Sequence, residues 1–242
     1  MKNTIKKFIS ATGFSLNRLT SVANPAYQQK KCLDSFGVDL VFDIGANKGQ
    51  YVTELRSAGY SGHVVSFEPL SDAYTVLSKV AQYDSRWRVH ERCAIGDADG
   101  TININIAGNS VSSSVLPMLD SHSDAAPGSS YVGSESVPQF MLDSVVNEYI
   151  SPEIRYFLKI DTQGYESAIL SGAKQTLQGA VGIQLELSLI PLYEGQNDWR
   201  EMISWLESEG FTLWALQRGF TDPRNGRTLQ VDALFFRVGD NG

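Results

Sequence analysis

The stretch Val41-Phe42-Asp43-Ile44-Gly45-Ala46-Asn47-Lys48-Gly49 is an apolar run that ends in an acid and passes at once into a segment with two glycines. With Val38 and Leu40 the run reads as a buried strand. The glycines take positive φ without a Cβ penalty, so they read as a sharp corner from that strand into a helix. The helix is predicted over residues 50–58, with Asn47 as its cap and Gly59 placed to end it.

Outward from this unit, apolar runs of strand length alternate with helical patterns, which predicts βαβ units around a parallel sheet. Residues 63–67 form the second strand, and Ser71 is the expected cap of a helix reaching about residue 83. Residues 87–95 read as the third strand, and Thr101-Ile102-Asn103-Ile104-Asn105-Ile106 alternates strictly, as a half-exposed strand does. Residues 108–138 are rich in Ser, Gly and Pro and predict a long surface loop, a frequent form of functional lid. A short helix at 142–149, a fourth strand at 155–161, a helix at 165–177 and a fifth strand at 181–189 follow. Asp198 is placed to cap a helix through Glu209. Residues 211–217 and 231–238 lack a helical pattern between them, so they predict an antiparallel hairpin at the sheet edge. No linker divides the chain, and the expectation is a doubly wound α/β domain over residues 33–242 behind an N-terminal helical extension, residues 1–32.

Composition narrows the class. A chain of 242 residues, 42% hydrophobic and 19% charged, is an ordinary globular one. No apolar stretch is long enough to span a bilayer, and the N-terminus lacks the pattern of a cleaved secretion signal. Cys32 and Cys93 have no metal-ligand spacing and suit a reducing cytoplasm, the expected location. The net charge of −7 argues against nucleic acid as partner. Residues 1–31 nevertheless carry six cations and no carboxylate, and Ile5, Phe8 and Ile9 stand beside three of them at helical spacing. A helix covering one end of the sheet is the favoured reading there, and contact with a membrane surface or a partner is the other.

In an open parallel sheet ligands bind beyond the carboxyl ends of the strands, so the segment from Asp43 to Gly49 is placed at a site. A dinucleotide fingerprint starting at Gly45 would need glycines where Asn47 and Gln50 stand, which weakens an NAD reading. Glu68 ends the second strand, where a carboxylate can accept hydrogen bonds from both hydroxyls of a ribose. Asp43 is placed to face a cationic amino-acid moiety. A strand-ending acid and two turn glycines alone can be a plain structural corner. Combined with Glu68 they suit S-adenosylmethionine, which has a ribose and an amine but no pyrophosphate.

With these residues in view, the chain resembles the FkbM family of methyltransferases over roughly residues 33–236. The resemblance is carried by Phe42-Asp43-Ile44-Gly45-Ala46-Asn47-Lys48-Gly49-Gln50-Tyr51, by Phe67-Glu68-Pro69 and by Leu158-Lys159-Ile160-Asp161-Thr162-Gln163-Gly164-Tyr165-Glu166. Weaker echoes are Ala94-Ile95-Gly96-Asp97, Ser112-Ser113-Ser114, Leu142-Asp143-Ser144 and Gln184-Leu185-Glu186. It implies a class I, Rossmann-like methyltransferase sheet of seven strands in the order 3-2-1-4-5-7-6, mostly parallel with an antiparallel last strand and helices on both faces. It also implies O-methylation of a hydroxyl, often on a sugar or polyketide. Asp43, Gly45, Ala46, Asn47, Gly49, Tyr51, Glu68 and Pro69 would then surround the cofactor, with Ala94 or Ile95 near its adenine.

The chemistry is expected at the end of the fourth strand. Asp161 should face the cleft, and Lys159, two residues earlier, points to the same side. The adjacent ammonium holds Asp161 ionised, a weaker base but a better anchor or metal ligand. Glu186 in an apolar strand is costly without a partner, so it too is a catalytic candidate, and Asp161 and Glu186 together are a candidate pair for a divalent cation. Glu166 is equally readable as a first-turn acid in its helix dipole. His63 and His90 read as structural, His122 in the loop as a possible base, and Tyr193 as a pocket or packing residue. A catalytically silent binding or scaffold protein on the same fold is the alternative from a different class.

Overall fold

A computed structural model describes residues 10–13 and 19–239. The basic, apolar stretch around Ile5, Phe8 and Ile9 lies outside the described residues. Ten strands follow in chain order: β1 Leu40–Ile44, β2 His63–Phe67, β3 Trp87–Val89, β4 Ala94–Gly96, β5 Gly100–Ala107, β6 Tyr131–Met141, β7 Tyr156–Ile160, β8 Gly182–Ser188, β9 Thr212–Arg218 and β10 Gln230–Phe236. Seven of them make one sheet in the order β3-β2-β1-β7-β8-β10-β9. β1, β2, β3, β7 and β8 run parallel, and β10 is antiparallel to both of its neighbours. This is the expected doubly wound, Rossmann-like sheet. The switch of direction beside β1 opens a crevice above the strand ends, where such folds bind ligands.

β1 shows why both faces are covered. Leu40, Phe42 and Ile44 point into a core shared with Leu158, Ile160, Ile183 and Leu185 and with Ile169, Leu177 and Met202 from helices. Val41 points the other way, into a core with Val64, Phe157 and Leu234 and with Leu33, Val52 and Leu55 from the helices Pro25–Ser35 and Gln50–Ser57. The period of two along the strand divides its apolar residues between two helix layers. Asp43 falls on the second face, where an acid must find a partner.

The structure changes several details. The third strand is two: β3 stays in the main sheet, whereas β4 leaves it to pair parallel with β6 in a second sheet of order β4-β6-β5. β6, eleven residues long, lies within and just beyond the segment expected as surface loop. Pairing with β5 organises that segment, a contact local composition cannot reveal. The helix expected over 165–177 is broken into Glu166–Ser171 and Lys174–Gly179, and Gly172, between the two pieces, passes so close to Gly96 that a Cβ would stand 2.1 Å from its carbonyl oxygen. Asp143 caps the second piece by accepting from Gln175 N, Thr176 N and Thr176 Oγ1.

Two expected caps also differ. Gly49, at φ 88°, occupies the cap position of Gln50–Ser57, while the Asn47 side chain accepts from Lys48 N and Gln50 Nε2. Ser71 is the first residue of its helix, and Glu135 of β6 accepts from both its N–H and its hydroxyl. Of the final hairpin only β9 lies at the edge. The helix Pro25–Ser35 runs across the 32/33 division and buries Gln29, Cys32 and Leu33, so it is built into the domain. Among the described residues no helix is long and apolar enough to cross a membrane.

Candidate active site

At the corner after β1, Gly45 has φ 79°, Asn47 47° and Gly49 88°. A Cβ on Gly45 would stand 1.9 Å from the Asp161 carbonyl oxygen, so this glycine lets the β1 corner and the end of β7 meet. Gly49 serves packing instead, since its Cβ position lies 2.6 Å from the Trp87 ring, away from the cleft. Asn47 N and Leu70 N donate to the two oxygens of Glu68, at 2.7 and 2.9 Å. Burial nevertheless pushes this carboxyl up to about 7, the two N–H groups pulling in the other direction.

Gly45, Asn47, Glu68 and Leu70 line a cleft of about 290 Å³. Gly45, Ala46, Asn47, Glu68, Pro69, Ala94 and Ile95 form one end, with Phe67, Leu70 and Ile104 as apolar walls. Ser110, Val111, Ser113, Ser114 and Val115 come down on it from the segment expected as loop. That segment is tied in place: Ser114 pairs with Asn105, and its hydroxyl donates to Gln163 O at 2.7 Å. Tyr51, Lys159 and Asp161 line the other end, joined by Gln184 and by Glu54 and Asp232, which the sequence pattern did not single out.

Asp43 does not face the cleft. It is 0% exposed and takes part in a polar row that crosses the sheet, in which Ser66, Asp43, Lys159 and Gln184 are successive cross-strand partners on β2, β1, β7 and β8. Trp87 Nε1 donates to Ser66 Oγ, Ser66 Oγ donates to Asp43 Oδ2, and the Lys159 ammonium lies 3.1 Å from Asp43 Oδ1. The partner of Asp43 is therefore a lysine of the chain rather than an amine of a ligand. Burial alone would lower the affinity of Lys159 for its proton, but the Asp43 and Asp161 carboxylates hold it above the ordinary lysine value.

Asp161 stands at the cleft wall with its side chain 33% exposed. Lys159 lies 3.5 Å from its Oδ2, and Gln163 Nε2 donates to its Oδ1 at 3.0 Å. The same Gln163 nitrogen donates to Glu186 Oε2. The amide thus occupies the space between the two carboxylates that a divalent cation would need, and no cluster of three His, Cys, Asp or Glu suited to a metal occurs among the described residues. Glu186 does not line the main cleft. Burial raises its carboxyl well above the ordinary value, with Asp161 and Asp232 adding to the effect. Glu166 is buried rather than a surface helix-dipole acid: it accepts from Thr162 N and Gly164 N, and burial pushes it up to about 7.

Gln163 is the residue that holds this corner together. It has φ 57°, an uncommon conformation for a residue other than glycine, and Tyr193 OH donates to its Oε1 at 2.8 Å. Tyr193 and His122 are both buried behind the cleft, outside its walls. His122 packs on Tyr193 and Phe220, and burial takes it down to about 4, so it is no base facing the cleft. His90 is also structural, bonded to Tyr149 OH, and His63 begins β2 at the surface. A charged Asp232 within the apolar run Val231 to Phe236 of β10 was the signal that could have drawn attention to it.

The cleft suits one ligand type in particular. Apolar walls and backbone suit an adenine, the Glu68 carboxylate a ribose, and the acidic far end a positively charged moiety, all of which S-adenosylmethionine contains. The fold and this cleft define a class I S-adenosylmethionine-dependent methyltransferase. The sequence model for the methyltransferase FkbM domain matches residues 43–213, and the chain belongs to that family. No curated protein matches the chain at a significant level. Among solved structures, a protein assigned as an O-methyltransferase from Klebsiella pneumoniae shares the fold at TM-score 0.52 and 12% identity, with 98% of this chain and 89% of that one covered. A Burkholderia thailandensis 1,6-didemethyltoxoflavin-N1-methyltransferase with bound S-adenosylhomocysteine aligns at TM-score 0.46 and 12% identity, over 90% of this chain and 80% of that one.

Proposed function

We propose that the protein O-methylates a hydroxyl of a sugar, a polyketide or another small metabolite. The observation that carries this reading is Asp161, a carboxylate that reaches the cleft wall while Gln163 and Lys159 hold its two oxygens in place. S-adenosylmethionine, when bound, supplies an electrophilic methyl group. Gly45, Ala46, Asn47, Pro69, Ala94 and Ile95 form its nucleoside cradle in this reading, Glu68 accepts from its ribose, and Tyr51 lines the space beyond. Asp161 orients the acceptor hydroxyl and takes its proton. Lys159 lies 3.5 Å from that carboxylate and helps to fix its orientation, so alignment of the hydroxyl contributes more of the rate than proton transfer. Glu186 supports Asp161 through Gln163 rather than touching the acceptor. The Ser110 to Val115 segment keeps bulk water out. A net charge of −7 disfavours a polyanionic acceptor.

The test is to incubate the protein with methyl-labelled cofactor and a panel of sugars, polyketide alcohols and structured RNA. Label is expected in a small hydroxylated product, and Asp161→Asn should lower kcat by about 10² to 10⁴. Label in RNA alone, or full turnover by Asp161→Asn, overturns the reading. A protein that transfers label to no acceptor would instead fit a silent scaffold.

A further inference from the structure

Asp43 is spent on Lys159 and Ser66, which leaves open which carboxylate meets the positively charged amino group of the cofactor. Four carboxylates line the cleft, and their oxygens can be accounted for one by one. Both oxygens of Glu68 accept backbone N–H groups. Asp161 has Gln163 on one oxygen and Lys159 beside the other. Glu54 is an exposed residue of the helix Gln50–Ser57. Asp232, half-buried on β10, accepts from Gln184 Nε2 at 3.0 Å through Oδ1, while its Oδ2 has no hydrogen-bond partner among the described residues.

The Gln184 amide is itself held by a residue from outside the part of the chain that the family model matches. Gln29, on the helix Pro25–Ser35 and 4% exposed, donates from Nε2 to Gln184 Oε1 and to Tyr51 OH. Because Gln184 presents its oxygen to Gln29, its NH₂ must turn to Asp232. The N-terminal helix therefore sets the direction in which the floor of the cleft displays a free carboxylate oxygen. Burial raises the Asp232 carboxyl to about 6, and Asp161 nearby adds to the rise, which is the state of an acid that a bound cation would favour in its ionised form.

We propose that Asp232 binds the ammonium of the cofactor's amino-acid moiety, with Gln184 and Gln29 as its positioning residues. The assignment rests on S-adenosylmethionine as cofactor and is independent of which acceptor is methylated.

Titration calorimetry with two nucleosides tests it without any acceptor: S-adenosylhomocysteine, which carries the amino-acid moiety, and 5′-methylthioadenosine, which lacks it. Asp232→Asn should weaken S-adenosylhomocysteine by about 10- to 100-fold, the worth of a hydrogen bond to a charged group, and leave methylthioadenosine unchanged. Gln29→Leu should give a smaller loss with the same selectivity. Unchanged affinity for S-adenosylhomocysteine in Asp232→Asn overturns the proposal, as does an equal loss of both nucleosides, which would mark a collapsed pocket. A failed acceptor screen with a selective calorimetric loss would leave this assignment standing and remove only the O-methylation reading.

Discussion

The two ends of the cleft are built by different means. The end proposed to hold the nucleoside comes from short segments at strand ends, Gly45 to Asn47, Glu68 to Leu70 and Ala94 to Ile95, and much of its geometry is backbone. The acidic end is made of side chains, from Gln29 in the first described long helix to Asp232 in the last strand, each oriented by another. A backbone-built end tolerates most side-chain changes but not a change of turn, whereas the side-chain network should respond to the loss of any buried member.

The strongest way to probe that contrast is Lys159→Met. It leaves Asp43 with no cation in a site that excludes water, and thermal or denaturant unfolding should show a loss of about 3–5 kcal/mol. Asp43→Asn in the same chain should recover part of it. If Lys159→Met is as stable as the parent, the polar row does not hold the sheet as described.

A middle-sized effect is expected at Glu68 and concerns pH. With its carboxyl pushed up to about 7, the group is protonated below that pH and loses acceptor capacity. Affinity for S-adenosylhomocysteine should therefore fall as pH drops through 7, and Glu68→Gln should bind more weakly but with a flat profile above pH 7, falling only towards the lower pH at which Asp232 takes up its proton. The ligand-free fold responds with the opposite sign. A carboxyl whose value is raised on folding from 4.5 favours the folded state most at low pH, and that contribution is lost as pH rises from about 4.5 through 7. Calorimetric titrations at pH 7 and 8, above the Asp232 transition, would reveal a parallel slope in both proteins if this account were wrong.

The smallest effect should come from the segment over the cleft. Ser114→Ala removes one buried hydrogen bond to Gln163 O, a loss of about 1 kcal/mol in unfolding measurements. It should leave methylthioadenosine affinity within about twofold, because the hydroxyl supports the acidic end and not the nucleoside end. A large change in nucleoside binding would show the two ends to be coupled.

How far the sequence could be read follows the same division. The strand ending at Asp43, the glycine corner and the Glu68 position were legible because strand period, turn chemistry and strand ends are local properties. Residues such as Gln163 and Gln184 stood in recognisable blocks, but nothing local says that one amide would bridge Asp161 and Glu186 or that another would be aimed at Asp232. The Ser- and Pro-rich segment differs from its expected loop for a related reason: β6 is a strand by virtue of β5 and β4, not of its own composition.

By itself the sequence determined the doubly wound sheet, the direction of its crevice and the cofactor class, since these depend on periodicity and on which residues can turn a corner. Tertiary structure alone decided that Asp43 is a buried partner of Lys159, that Gln163 fills the place of a cation, and that Asp232 offers an open oxygen to the cleft. The physical reason is that a buried carboxylate takes its role from the charge and donors packed against it, and those arrive from strands and helices far away in the chain.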